Sequence, residues 1–160
     1  MVIIEIRKAR PDESETLTQI AHAAKRYWGY PEQWITFWSV ALTITPEAIK
    51  NNEAYVAVDS GKIIGFYLLA AEGSRLEHLW IVPDRIGTGV GRKLFNHAVR
   101  QAAALGASTM EIEADPHAEG FYKHMGAKRA GEVRLQVLGM ERVIPQLTFG
   151  IHADAAPASS

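Results

Sequence analysis

Residues 76–92 read Leu-Glu-His-Leu-Trp-Ile-Val-Pro-Asp-Arg-Ile-Gly-Thr-Gly-Val-Gly-Arg. An apolar strand pattern ends at a proline, three glycines follow at alternate positions, and a helical pattern begins. Without Cβ atoms, Gly87, Gly89 and Gly91 allow neighbouring backbone N–H groups to point into one concavity. The first turn of the helix adds unpaired N–H groups and the positive end of its dipole. Together they form an anion site suited to a phosphate or pyrophosphate, with Arg85, Arg92 and Lys93 adding positive charge. The nucleotide-binding P-loop needs two glycines five apart and then Lys and Ser or Thr, which this segment lacks. The dinucleotide fingerprint needs a glycine at 92, where Arg92 stands. The bare turn is equally compatible with a tight strand-to-helix connection that holds no ligand.

The rest of the chain supplies the context. It has 160 residues, 48% hydrophobic and 22% charged, which suits one globular domain over residues 1–152 with a frayed, disordered tail at 153–160. It has no cysteine, which excludes disulfides, thiolate metal sites and an acyl-cysteine intermediate, and fits a cytoplasmic setting. A net charge of −1 without a long basic run predicts no nucleic-acid or membrane partner. The apolar start is too short for a signal peptide or a membrane span. The six histidines are scattered, and no metal is expected.

The patterning predicts strands over Val2–Lys8, Ala54–Asp59, Lys62–Ala71, Arg75–Val82, Thr109–Ala114, Ala130–Leu138 and Val143–Ile151. It predicts a helix after Pro11, with Leu17, Ile20, Ala21 and Ala24 on its buried face, and a second over Glu32–Ala41. A short segment follows Thr45, and two further helices cover Gly89–Leu105 and Pro116–Met125. Ser60-Gly61 reads as a hairpin turn. This order implies an α/β or α+β fold: a mixed, mostly antiparallel sheet with one parallel pair across a strand-helix-strand crossover.

With Leu76–Pro83 before it, Gly87-Thr88-Gly89-Val90-Gly91 resembles the acyl-CoA-binding motif of the GCN5-related N-acetyltransferases. Gly89 and Gly91 match the motif's glycines, while Ile86 stands where the family has Arg or Gln. Downstream, Asp115-Pro116-His117-Ala118-Glu119-Gly120-Phe121-Tyr122-Lys123-His124-Met125-Gly126 resembles the family's Asn-x-x-Ala-x-x-Phe-Tyr segment, with Asp115 in place of Asn. The resemblance follows the element order from Ile3 to Phe149 and is most specific over residues 76–127.

It implies a sheet with helices on both faces and a splayed parallel pair, with acetyl-CoA as acyl donor. The expected reaction is direct transfer to the primary amine of a small molecule or peptide in a ternary complex. The implied cofactor-binding residues are Leu79, Ile81, Val82, Ile86, Gly87, Thr88, Gly89, Val90, Gly91, Arg92, Asp115 and Phe121. The strand residues and the turn would act largely through main-chain atoms. Dimerisation is common in the family, so a homodimer is left open. The competing reading is an acyl-CoA-binding sensor without turnover.

An amine of ordinary basicity must lose a proton before it attacks a thioester, and the leaving thiolate benefits from an acid. The resemblance puts the Tyr122 hydroxyl near the coenzyme sulfur, which makes it the candidate acid. Glu77, sharing a strand face with Leu79 and Ile81, is the candidate base, and an ion pair with Arg75 is the alternative explanation for its carboxylate. Tyr27, Trp28, Tyr30, Trp34, Phe37 and Trp38 crowd a twelve-residue window. Trp28 and Tyr30 are taken as lining the acceptor pocket, with Glu72 as a further candidate on that side.

Overall fold

The computed structural model describes residues 3–151. The expectations for Val2 and for the tail at 153–160 lie outside the described residues. Seven strands form one sheet: β1 (Ile4–Lys8), β2 (Glu53–Asp59), β3 (Lys62–Leu69), β4 (Arg75–Ile81), β5 (Thr109–Glu113), β6 (Lys128–Val137) and β7 (Met140–Gly150). Their order across the sheet is β1-β2-β3-β4-β5-β7-β6, and among the described residues only β4 and β5 run parallel. The crossover between them is α4 (Val90–Ala104). The mixed sheet and its single parallel pair are those expected from the sequence.

Helices cover both faces. On α4, Val90, Leu94, Ala98 and Ala102 recur every four residues and are fully buried. They pack with Tyr67, Leu69, Leu76, Met110 and Ile112 on one face of the sheet. Gly65 permits this approach, since a Cβ there would lie 2.9 Å from Ile81 Cδ1 and 3.1 Å from Leu94 Cδ1. Burying a side chain such as Leu94 stabilises the fold by roughly 1.5–3 kcal/mol. On the other face, Leu17, Ile20 and Ala21 of α1 (Ser14–Tyr27) pack with Val56, Phe66 and Leu68. Two short helices, α2 (Glu32–Phe37) and α3 (Pro46–Asn51), complete that side, and α5 (Glu119–His124) follows β5.

Three local differences from the sequence reading have physical causes. The second helix is regular only to Phe37. Beyond it, Ser39 N–H bonds Thr36 O while Leu42 N–H bonds Trp38 O, so i→i+3 and i→i+4 turns alternate up to Leu42. The last two strands meet in a tight turn at Leu138-Gly139, with φ of +48° and +83°. A leucine gives no signal for a left-handed position, so the sequence left residues 139–142 as a connection. The register between β3 and β4 steps from Leu68↔His78 to Leu69↔Leu76, leaving Glu77 as an extra residue in a β-bulge.

Candidate active site

The bulge coincides with the end of the parallel pairing. β4 and β5 are in register only at Arg75↔Glu111 and Leu76↔Ile112. Beyond Leu76 the edge of β4 that faces β5 has no strand partner, so the two strands diverge and leave a gap in the sheet. The C-terminal end of β4 leads through Pro83–Arg85 into the glycine turn.

Gly87 and Gly89 adopt φ of +83° and +94°, and a Cβ built on either meets nothing within 4 Å. Space therefore stands open above the turn. The N–H groups of Gly87, Gly89, Val90, Gly91 and Arg92 donate to no backbone carbonyl among the described residues. Those of Ile86 and Thr88 are taken by Pro83 O and Arg85 O, and that of Val82 is taken by Ile64 O. The Val82, Ile86 and Thr88 amides therefore do not belong to the set expected to face a cofactor. Val90 is fully buried and lines neither of the clefts described below. Arg85 is held by Asp59 at 2.6 Å, so its charge is balanced, whereas Arg92 is exposed.

A cleft of about 360 Å³ runs from this turn along β4 to α5. Leu79, Ile81, Ile86, Gly87, Gly89, Gly91, Arg92, Phe121 and Tyr122 all line it, together with Trp28. It meets a smaller cleft in the gap, lined by Glu77, Glu113, Asp115 and again Leu79, Trp28 and Tyr122. Tyr122 thus stands at the junction. It is 7% exposed, and its hydroxyl has no hydrogen-bond partner among the described residues. Burial, reinforced by the nearby Asp115 carboxylate, pushes its pKa well above the ordinary phenol value.

The structure alters three expectations. Glu77 is not a buried carboxylate on an apolar face: its side chain is 39% exposed and lies 3.3 Å from Arg75, which also reaches Glu113 at 3.2 Å. The ion pair raised as the alternative is present. Glu72 lines neither cleft; it sits in the β3–β4 turn, at the opposite end of β4, and accepts from Ser74 Oγ. Asp115 is not free to contact a cofactor as the family's Asn would. Its carboxylate is buried and engaged on both oxygens.

That engagement forms a network the sequence did not disclose. Oδ2 accepts from Lys25 Nζ at 2.6 Å and Arg142 at 3.0 Å. Oδ1 accepts from the His117 backbone N–H and lies 2.9 Å from His117 Nδ1. The Tyr30 hydroxyl accepts from Arg142 at 2.6 Å and sits 3.0 Å from Oδ2. Lys25 Nζ lies 4.1 Å from the Trp38 ring centroid, a cation–π contact. Burial raises the pKa of Asp115, but the Lys25 charge and these hydrogen bonds outweigh it and hold the carboxyl below the usual range. Burial pulls Lys25 below its ordinary value against the pull of Asp115, and it pushes Tyr30 up to about 12. Trp28 stacks on His117 with ring centroids 5.3 Å apart and planes 9° apart. Trp28 thus walls the clefts directly, while Tyr30 acts from behind, through Asp115.

Lys25 had one signal in the sequence: it falls four residues after Ala21 and eight after Leu17, on the apolar stripe of α1, where a charge needs a partner. Arg142 had none, since its segment read as a connection. Among the described residues no helix is long and apolar enough to cross a membrane, and no group of three or more His, Asp or Glu could hold a metal ion.

Comparison with known proteins places this architecture. Residues 13–140 match the family model described as an acetyltransferase (GNAT) domain. The chain is 33% identical over 152 residues to the peptidyl-lysine N-acetyltransferase YjaB of Escherichia coli K12, covering 92% of this chain and 98% of that one. A GCN5-related N-acetyltransferase from Rhodopseudomonas palustris superimposes with a TM-score of 0.80 at 20% identity, covering 91% and 94% of the two chains. The PaiA N-acetyltransferase of Thermoplasma acidophilum, solved in complex with coenzyme A, has a TM-score of 0.75 at 19% identity, covering 92% and 99%. With most of its length matched by the family model and by a relative of this identity, the chain belongs to the GNAT family of N-acetyltransferases.

Proposed function

We propose that this enzyme transfers an acetyl group from acetyl-CoA directly to a primary amine, with both substrates bound at once. The observation that carries the reading is the row of unpartnered amides at Gly87, Gly89, Gly91 and Arg92, residues that line a cleft leading into the β4–β5 gap. A diphosphate fits such amides, and the missing Cβ atoms at Gly87 and Gly89 leave room for close approach. The pantetheine arm would pair with the free edge of β4 as a short added strand. An N–H of Leu79 or Ile81 would then donate to the developing oxyanion. Tyr122, kept protonated by its burial, would supply a proton to the leaving thiolate. No cysteine is present to carry the acyl group, which favours direct transfer.

The acceptor class we favour is the lysine side chain of a protein or peptide. The Escherichia coli relative is named for that activity. Glu77 and Glu113 line the gap and suit an incoming ammonium. Two measurements test the reading. Calorimetry with acetyl-CoA should give saturable binding. Thiol release should then depend on an added amine, with a lysine-containing peptide preferred over small amines. Binding without amine-dependent thiol release would point to an acyl-CoA sensor instead. Parallel rather than intersecting initial-rate lines would remove the ternary complex.

A further inference from the structure

The acceptor nitrogen must give up a proton, and the rim carboxylates Glu77 and Glu113 are both tied to Arg75. We propose that His117, held through Nδ1 by Asp115, accepts that proton at Nε2, an inference that rests on the acetyl-transfer reading above. An ionised carboxylate can only accept a hydrogen bond, so at 2.9 Å from Oδ1 the neutral imidazole carries its proton on Nδ1. Nε2 is left as the lone-pair nitrogen and has no partner among the described residues. The ring cannot turn freely. It is stacked on Trp28, meets Tyr30 edge-on at 5.2 Å, and its own backbone N–H is bonded to the same carboxylate oxygen. The side chain is nevertheless 45% exposed, and it lines the cleft that Tyr122 also lines. A carboxylate that fixes tautomer and orientation and leaves the far nitrogen unpartnered, on a ring that lines the cleft, is the arrangement of an oriented base.

The charged and titratable groups around His117 are Asp115 beside it, Lys25 on α1, Tyr30 after that helix, Arg142 on β7 and Tyr122 on α5. All but Tyr122 hydrogen-bond within the Asp115 network. Asp115 is therefore a positioning residue, acting through His117. In the step itself, the ammonium gives one proton to His117 Nε2 and the freed amine forms a C–N bond to the thioester carbonyl carbon. The C–S bond breaks, and the thiolate takes the Tyr122 proton. The new amide nitrogen sheds its second proton to solvent, Tyr122 regains one from solvent and the His117 proton leaves to solvent, so the balance is one amide, one thiol and one proton released.

The test uses the full chain with acetyl-CoA, a lysine-containing peptide and primary amines of graded basicity. His117→Gln should lower kcat by about 10²-fold or more, the usual loss for a positioned base, while the acetyl-CoA dissociation constant stays within about threefold of the unaltered protein. In the unaltered protein, kcat/KM should show an acid limb whose midpoint does not move with the basicity of the amine. That limb should vanish in His117→Gln and shift in Asp115→Asn. A His117→Gln variant with unaltered kcat and an unaltered limb overturns the proposal and leaves the acetyl-transfer reading standing. Nitrogen-15 NMR of the imidazoles needs no acceptor: a proton on Nδ1 of His117 supports the proposal, and a proton on Nε2 overturns it. If the unaltered protein acetylates no amine, the acetyl-transfer reading fails, and this role with it.

Discussion

Lys25 Nζ lies 2.6 Å from Asp115 Oδ2, joining the C-terminal part of α1 to the loop that leaves β5. Both side chains are nearly buried, and Arg142 shares the same carboxylate. One anion thus serves two cations, and this asymmetry predicts unequal losses. Asp115→Ala leaves Lys25 and Arg142 facing each other without a counter-charge and should cost about 3–5 kcal/mol. Lys25→Met leaves Asp115 with Arg142, Tyr30 and His117 and should cost clearly less. Urea unfolding of both variants checks the order, and a larger loss for Lys25→Met would refute it.

The pH dependence of stability follows from the signs of the shifts. Burial lowers His78 from 6.5 to about 4, with its Nδ1 accepting from Trp80 Nε1 at 3.0 Å. The unfolded chain therefore binds a proton at His78 before the folded one does. Stability should fall as pH drops from about 6.5 towards 4, by up to about 3 kcal/mol. Asp115 is depressed, so its contribution is complete above the ordinary carboxylate range and is lost only as pH falls through its lower folded value. Glu13, hydrogen-bonded to Arg7, has the same sign. Thermal melts between pH 7 and 3 should show the His78 slope first, and His78→Gln should remove it.

Gly89 combines φ of +94° with open space where a Cβ would stand. Gly89→Val should cost roughly 1–2 kcal/mol from the left-handed backbone alone. It should also weaken acetyl-CoA binding by more than tenfold, because the side chain enters the space the diphosphate would occupy. Calorimetry on a variant whose melt confirms folding separates the two effects.

Tyr122→Phe removes a hydroxyl at the junction of the two clefts while keeping the ring among Phe95 and Phe121. Turnover should fall by roughly 10²-fold, with coenzyme affinity nearly unchanged. Steady-state kinetics with acetyl-CoA and a lysine-containing peptide would reveal this split, and equal turnover would remove the hydroxyl from the reaction.

Ile86 is 38% exposed on the cleft wall, and Arg85 beside it is committed to Asp59. Ile86→Arg adds an uncommitted positive charge next to the turn. It should tighten acetyl-CoA binding about 3–10-fold, with the gain shrinking as salt is raised. An affinity that is unchanged at low salt would show that the backbone amides alone set binding.

Local chemistry was legible wherever a residue type has only one use. The glycines at 87, 89 and 91, the apolar stripes of α1 and α4 and the Ser60-Gly61 turn announced the crossover, the helix faces and the first hairpin. Leu138 in a left-handed turn and the bulge at Glu77 were hidden, because neither residue type favours its position. The bulge mattered most. It falls where the β4–β5 pairing ends and leaves Glu77 at a rim beside Arg75, where simple alternation had put it on the face of Leu79 and Ile81.

By itself the sequence determined which segments become strands and helices, the glycine turn and the family, because periodicity and missing Cβ atoms are properties of neighbouring residues. Only the tertiary structure decided what Asp115 does. Its partners Lys25, Tyr30 and Arg142 lie 90, 85 and 27 residues away along the chain, and no local pattern encodes which distant charges will share one buried carboxylate. Desolvation makes that choice: once the sheet closes, a buried charge must find its counter-charge or be expelled.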